Sequence, residues 1–391
     1  MKLNIALIGY KFMGKAHSYG IDAAPFFFKD GIEPVKKVIC GRTEHLVKQA
    51  AEDFGWEEYC TDWREIIKRD DIDVVDIATP TINHKEIAIA AIKAGKHVFC
   101  EKPLAMNAEE SKEMMEEAKK AGVINMLGHN YRRCPAAAFA KKMIEDGKLG
   151  KIYHVRAVYL QDWIMDPNFP AIWKLNKEIA GSGPHGDLNA HIIDLARFMT
   201  GDEIDEVVGM KETFIKKRPS PVVEKKLNSM LKADGSSEDV KMVDVTVEDA
   251  CSFLAKFKKG ALGTFEATRF AGGRKNFNRI EINGEKGTII FEFEDMNRLQ
   301  YFDLEEPKEI QGFKSIMVTE DCHPYIANWW PPGHIIGYEN TFVNEFADFF
   351  RGIKENKEVT PNFYDGWKGN QVLDAVMKST DTKTWQKVDE M

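Results

Sequence analysis

The sequence predicts an open α/β domain of parallel strands with helices on both faces, followed by an α+β domain built on a large, mostly antiparallel sheet. Three observations carry that expectation. Short apolar runs alternate with helix-period segments up to about residue 128, a glycine turn joins the first strand to the first helix, and the rhythm then changes to longer strands with partial alternation. A chain of 391 residues accommodates two such domains, at about 150 residues each as a starting expectation.

In order along the chain, residues 3–9 are apolar and β-capable and run into the glycine turn, and Lys15–Ala24 reads as a helix. Val35–Cys40 is a second strand, followed by a helix with apolar positions at Leu46, Ala50, Ala51 and Phe54. Val74–Ala78, ending at Thr79-Pro80, has the unalternating apolar character of a buried parallel strand. The helix Lys85–Ala94 stops at Gly95, a residue suited to the left-handed position after a helix, and Lys96–Cys100 is a strand. Ala108–Ala121 is a long helix and Val123–Leu127 a strand, placing the first domain at 1–128 and the second at 129–391.

In the second domain, Lys151–Leu160, Glu206–Phe214, Asp249–Lys258, Ala261–Arg269 and Arg279–Asn283 read as strands. Lys258-Lys259-Gly260 and Asn283-Gly284-Glu285-Lys286-Gly287 fit hairpin turns. Residues 216–241, rich in Lys, Ser, Glu and Pro, read as a long exposed loop. Helical periodicity returns in Asn340–Ile353 and Trp367–Lys378, which are free to pack back on the first domain.

Composition narrows the function. Lysine and arginine total 54 against 62 acids, a net charge of −8, so no basic excess is available to neutralise a nucleic-acid backbone. Apolar runs such as Ile87–Ile92 fall well short of the ~20 residues of a membrane helix, and the first residues lack the pattern of a signal peptide. The six cysteines, at 40, 60, 100, 134, 251 and 322, form no CxxC pair and read as small hydrophobes of a reduced, cytoplasmic protein.

Gly9-Tyr10-Lys11-Phe12-Met13-Gly14 follows a strand and opens a helix, the context a dinucleotide-binding turn requires. Gly9 permits the tight turn, Gly14 lets helix and strand approach, and the helix N-terminus offers N–H groups to a pyrophosphate. Lys11 stands where a second glycine is usual. The second strand ends in Cys40-Gly41-Arg42-Thr43 without the carboxylate that would read a ribose diol. Arg42 offers a cation for a 2′-phosphate or a plane for adenine, which favours NADP slightly over NAD.

Glu101-Lys102-Pro103 follows a strand at the edge where such sheets bind ligands. Together with Gly9-x-x-x-Met13-Gly14-x-x-His17 and Gly186-Asp187-x-x-x-His191, it makes the whole chain resemble the glucose–fructose oxidoreductase/inositol dehydrogenase (Gfo/Idh/MocA) superfamily. Asn130-Tyr131-Arg132-Arg133, Tyr159-Leu160-Gln161-Asp162-Trp163 and Ala180-Gly181-Ser182-Gly183 look most like its levoglucosan-dehydrogenase branch. The resemblance implies a Rossmann domain followed by a mostly antiparallel sheet, an NAD(P) cofactor, and homodimers or homotetramers built through that sheet. It implies Lys102, Asp187 and His191 as the catalytic set. Gly9, Phe12, Met13, Gly14, Thr79, Pro80, His84, Glu101 and the pair Trp173-Lys174 would surround the cofactor.

The chemistry is coherent on the residues alone. Oxidising a secondary alcohol needs a base for its proton and a hydride acceptor over the same carbon. Asp187 and His191 are four apart, on one face if the segment is helical. His191 suits the base, Asp187 would hold the imidazolium, and Lys102 would stabilise the developing alkoxide. Arg132, Arg133, Trp163, Trp329, Trp330 and His334 are weaker substrate candidates, since aromatic faces suit sugar rings and Arg or His suits their hydroxyls. A metal held by Asp187, His191 and His185 is the alternative for that segment, although no metal is expected. An NAD-dependent glycoside hydrolase and a nucleotide-sensing regulator are the rival functions.

Overall fold

The computed structural model describes residues 1–220 and 241–391. It divides into two compact units. The first takes Met1–Asn130 and Tyr338–Asn370; the second takes residues 131–220, 241–337 and 371–391.

The first unit runs β1 (Lys2–Ile8), α1 (Phe12–Phe27), β2 (Glu33–Cys40), α2 (Glu44–Phe54), β3 (Glu58–Cys60), α3 (Trp63–Ile67), β4 (Val74–Ile77), α4 (His84–Lys93), β5 (His97–Glu101), α5 (Ala108–Ala121) and β6 (Asn125–Gly128). The strands form one parallel sheet in the order β3-β2-β1-β4-β5-β6. The order reverses direction beside β1, so the carboxyl ends of β1 and β4 flank the crevice in which such sheets bind ligands. All four residues of β4 are buried, Asp76 among them, as befits an interior parallel strand. Gly95 and Gly122 follow α4 and α5 at positive φ, where a side chain would be strained.

The sequence reading missed β3, which has three residues and no periodicity to show. It also started α1 too late. The helix begins at Phe12, directly after the glycine turn, and carries Pro25 in its last turn.

The second unit contains α6 (Pro135–Glu145), β7 (Ile152–Leu160), α7 (Lys177–Ala180), α8 (Ala190–Thr200), β8 (Ile204–Glu212), β9 (Lys217–Pro219), β10 (Met242–Asp244), β11 (Ala250–Phe257), β12 (Leu262–Thr268), β13 (Phe277–Gly284), β14 (Gly287–Glu292), β15 (Arg298–Asp303) and β16 (Lys314–Met317). Two long helices follow, α9 (Tyr338–Glu355) and α10 (Phe363–Thr382), then β17 (Gln386–Lys387). Helix α9 belongs to the first unit, and α10 passes from the first unit to the second after Asn370. Among the described residues, the large sheet has the order β16-β15-β14-β13-β7-β12-β11-β8-β17. Every neighbouring pair is antiparallel except β7 with β12.

Both glycine turns connect antiparallel neighbours, β11 to β12 and β13 to β14. Strands β14 to β16 escaped the sequence reading. Residues 216–241 are not simply a loop. Lys217–Pro219 pairs with Met242–Asp244, and Arg218 is fully buried, while residues 221–240 lie outside the described residues.

Within the first unit, α1 packs on α9 because Gly20 presents no side chain. A Cβ there would lie 2.8 Å from the Phe346 ring and 3.1 Å from Phe342. Phe99 of β5 stacks on Phe346 with ring centroids 4.7 Å apart.

Candidate active site

In the first unit the candidate residues gather at the carboxyl edge of the sheet. Gly9 has φ +115°, and a Cβ there would sit 2.3 Å from the Ala78 carbonyl oxygen. A Cβ on Gly14 would meet the Gly9 carbonyl oxygen at the same distance. These two glycines therefore shape the turn sterically. Lys11 is the N-cap residue of α1 and makes no side-chain cap, so the helix's first N–H groups keep the character of an anion site. At the end of β4, Thr79 Oγ1 is buried with no hydrogen-bond partner among the described residues. A polar atom buried in that way calls for a ligand or water. Turn, helix start and orphaned hydroxyl together fit the pyrophosphate and ribose of a dinucleotide.

Phe12 is half exposed and lies parallel to the Tyr338 ring, with 6.3 Å between centroids; Met13 and Pro80 are half-buried. Arg42 is exposed just past β2. Gly41 before it is tightly backed, since a Cβ would fall 2.0 Å from the Tyr10 ring. His84 is buried, its ring placed between the carbonyl oxygens of Thr79 (2.9 Å) and Pro103 (3.0 Å). Burial holds its pKa below the ordinary histidine value. It ties together the two turns that carry the other candidates.

Glu101 ends β5 and is buried. Its Oε2 accepts the Lys102 backbone N–H at 3.1 Å, while its Oε1 lies 3.2 Å from His17 Nε2. The other nitrogen of His17 faces both oxygens of Asp76, at 2.9 and 3.0 Å. Lys102 itself is half-buried, and its peptide bond to Pro103 is cis. The sequence reading gave His17 no role and passed over Asp76. The signal for Asp76 was present, a lone acid inside the apolar run Val74-Val75-Asp76-Ile77.

In the second unit, His185–Asn189 forms a π-helical turn leading into α8, so the Asp187–His191 spacing spans a helix irregularity of a kind frequent at functional sites. Gly183 and Gly186 make the turn possible, because a Cβ would lie 2.0 Å from the Glu248 carbonyl oxygen or 2.5 Å from Ser182 Oγ. The Asp187 carboxylate receives Lys174 Nζ at 3.0 and 3.2 Å and Arg269 at 2.7 Å. Arg269, almost fully buried, lies 5.2 Å from the Trp163 ring. Sequence reasoning missed Arg269 because nothing at the end of β12 marks it.

His191 packs against Tyr131 (ring centroids 4.5 Å) and Tyr159 (5.8 Å). A polar chain surrounds these rings. The two tyrosine hydroxyls are 2.6 Å apart, Tyr159 donates to Asn276 Oδ1 at 2.6 Å, and Gln161 donates to the same oxygen at 2.9 Å. Trp163 Nε1 donates to Gln161 Oε1 at 2.8 Å, which fixes that indole. Burial, opposed by hydrogen bonding with Tyr159 and Asn276, pushes the Tyr131 hydroxyl up to about 12, so it stays protonated near neutrality.

Arg132 directs its guanidinium at Asp194, with contacts of 2.7 and 2.5 Å, and both side chains are nearly fully buried. It anchors α8 instead of reading substrate hydroxyls. Breaking a buried pair of this kind costs about 3–5 kcal/mol. Arg132→Met is therefore expected to lower the denaturant midpoint clearly, and a stability unchanged from wild type would show that the pair contributes nothing. Arg133 is also buried, Trp329 is nearly so, and Trp330 and His334 are exposed. The metal alternative loses its third ligand. His185 is fully buried, its ring 3.0 Å from both the Leu373 carbonyl oxygen and the Asn189 amide. Among the described residues, no group of three His, Cys, Asp or Glu side chains could hold a metal ion. No helix among them is long and apolar enough to cross a membrane.

Comparison with known proteins agrees with this geometry. Residues 3–129 match the model of the oxidoreductase family with an NAD-binding Rossmann fold, and residues 138–290 match the GFO/IDH/MocA C-terminal domain. A levoglucosan dehydrogenase of Pseudarthrobacter phenanthrenivorans is 43% identical over 98% of this chain and 97% of its own. A myo-inositol 2-dehydrogenase of Thermotoga maritima is 27% identical over 100% and 99%. Among solved structures, an oxidoreductase domain protein of Kribbella flavida shares 49% identity at a TM-score of 0.93, covering 99% of each chain. A levoglucosan dehydrogenase in complex with NADH shares 42% at 0.92, again over 99% of each. This chain belongs to the Gfo/Idh/MocA family of oxidoreductases with an NAD-binding Rossmann domain.

Proposed function

We propose that the chain oxidises a ring secondary alcohol of an anhydrosugar, within the wider activity of an NAD(P)-dependent sugar or cyclitol dehydrogenase. One observation carries the reading. A carboxylate fixed by two cations, Asp187 with Lys174 and Arg269, stands four residues before an imidazole packed against two tyrosines. His191 accepts the hydroxyl proton; the Tyr131 hydroxyl, held protonated, does not compete for it. Asp187 orients the substrate, and its negative charge favours the imidazolium that forms. Lys102 supplies positive charge to the developing alkoxide. The nicotinamide, when bound, supplies the hydride acceptor.

The cofactor set is Gly9, Phe12, Met13, Gly14, Arg42, Thr79, Pro80, Glu101, Lys102, Trp173 and Lys174, with His84 bracing it. Trp163 and His334 are the substrate-facing candidates. The anhydrosugar is favoured because the relative at 43% identity is named a levoglucosan dehydrogenase. A homo-oligomer formed through the large sheet is supported by Met210, Leu254 and Leu262, which stand at least half exposed on one of its faces.

A screen of monosaccharides, anhydrosugars and inositols, followed by nicotinamide absorbance with each cofactor, tests the proposal. The expected result is the highest kcat/KM with an anhydrosugar. Sugar cleavage without net cofactor reduction would overturn it in favour of a glycoside hydrolase.

Cofactor choice turns on Arg42. It is exposed past β2, where no carboxylate repels a 2′-phosphate, and a charge-assisted contact is worth about 1.5–3 kcal/mol, roughly ten- to a hundredfold in affinity. NADP is expected to bind somewhat tighter than NAD, and Arg42→Ala is expected to weaken NADP selectively. Fluorescence titration of both cofactors checks this. Equal weakening of the two would make Arg42 an adenine-stacking residue instead.

A further inference from the structure

His17 sits in the first unit with carboxylates on both sides of its ring and no exposure to solvent. Asp76, fully buried on β4, faces Nδ1; Glu101, 4% exposed on β5, faces Nε2. Two ionised carboxylates facing the two nitrogens are both satisfied by an imidazolium, which donates from each. Three aromatic rings also pack against it, those of Phe99, Phe342 and Phe346 at 5.2, 5.8 and 5.4 Å. Two buried carboxylates without a cation would be prohibitively costly in such a place. Burial alone would lower the His17 pKa, but Asp76 and Glu101 outweigh it and raise it to about 10. Burial pulls Glu101 upward, yet His17, Lys102 and His84 together hold it below the usual carboxylate value.

The far oxygen of Glu101 accepts the Lys102 backbone N–H, so the chain Asp76–His17–Glu101 ends on the peptide from which Lys102 projects. Gly128 on β6 leaves room for it, since a Cβ there would lie 2.7 Å from Glu101 Oε1. We infer that His17 is a positioning residue, a buried imidazolium clamped by Asp76 that keeps Glu101 ionised and thereby fixes Lys102 for alkoxide stabilisation. The inference rests on the role of Lys102 proposed above.

In wild type, Glu101 stays ionised throughout the working range. In His17→Gln the cation is gone, and a neutral amide donates to one carboxylate at a time, so Glu101 and Asp76 compete and one of them takes up a proton. The Glu101 pKa rises, and activity should fall as pH falls through it.

Two measurements test this. In protein carrying ¹⁵N-labelled histidine, both His17 ring nitrogens are expected to stay protonated from pH 6 to 9, and a neutral ring at pH 7 would overturn the inference. His17→Gln is expected to lower kcat about 10- to 100-fold near neutrality, with an added acidic limb and little change in sugar KM. Adding Asp76→Asn should restore most of the loss. The new amide on β4 can donate to the carbonyl of the introduced glutamine, whose own amide then donates to Glu101. A loss uniform across pH, with no such rescue, would make His17 a packing residue only. The charge state is read without turnover, so it stands or falls apart from Lys102, whose own role is tested by its substitution.

Discussion

Lys102→Met is expected to lower kcat by about 10²- to 10³-fold, the scale on which removal of one preorganised donor at a developing oxyanion acts. Methionine keeps most of the side-chain volume, and the backbone N–H that Glu101 accepts is untouched by it, so β5 and its turn should be undisturbed. The quantity removed is the charge. Because the same residue belongs to the proposed cofactor set, a severalfold weakening of nicotinamide binding is expected as well. Cofactor titration separates that effect from the loss in kcat at saturation. Lys102→Arg should not restore activity, since a planar fork does not reproduce a compact ammonium in a half-buried position. Turnover within a few-fold of wild type would show that Lys102 is a cation at a strand end with no part in the chemistry.

The fold was legible wherever periodicity and punctuation coincided. Ala108–Ala121 has the same bounds in sequence and structure, and Gly95 follows α4 at positive φ as expected. The parallel strands around the glycine turn were visible because burial on both faces leaves them predominantly apolar. Strands with only three or four residues, β3 and β16, carry too little pattern to stand out, and β9 was hidden inside a segment whose composition says loop. That segment also conceals Arg218, buried and hydrogen-bonded to the backbone of Ile164 and Asp166, which no hydropathy argument would place in an interior.

The candidate site was legible as residue types in order, not as contacts. Asp187 and His191 announced themselves by spacing, yet the π turn and the cations on Asp187 depend on residues distant in sequence, Lys174 and above all Arg269. Arg132 shows the opposite error. Arginine as a residue type suits sugar hydroxyls, whereas the partner that occupies Arg132, Asp194, lies 62 residues away on α8. His17 fell between these cases, because its place in the glycine motif was seen and its two carboxylates were not.

Replacing His191 should have the largest effect, a fall in kcat of about 10²- to 10⁴-fold, the range supplied by a positioned general base. The ring is only 7% exposed and packs against Tyr131 and Tyr159, so alanine also leaves a gap shaped like an imidazole. That gap makes the test sharper. Added imidazole should recover part of the activity of His191→Ala, in proportion to the neutral base present, and should do nothing for Lys102→Met. In His191→Gln, which fills the space but accepts no proton near neutrality, no such recovery is expected. Cofactor affinity should change little in either variant, since the proposed cofactor set does not include His191. A kcat unaltered by both substitutions would reduce His191 to a packing residue beside the tyrosines and force the search for a base elsewhere. Tyr131 could not take over the role, because its hydroxyl is held protonated up to about pH 12.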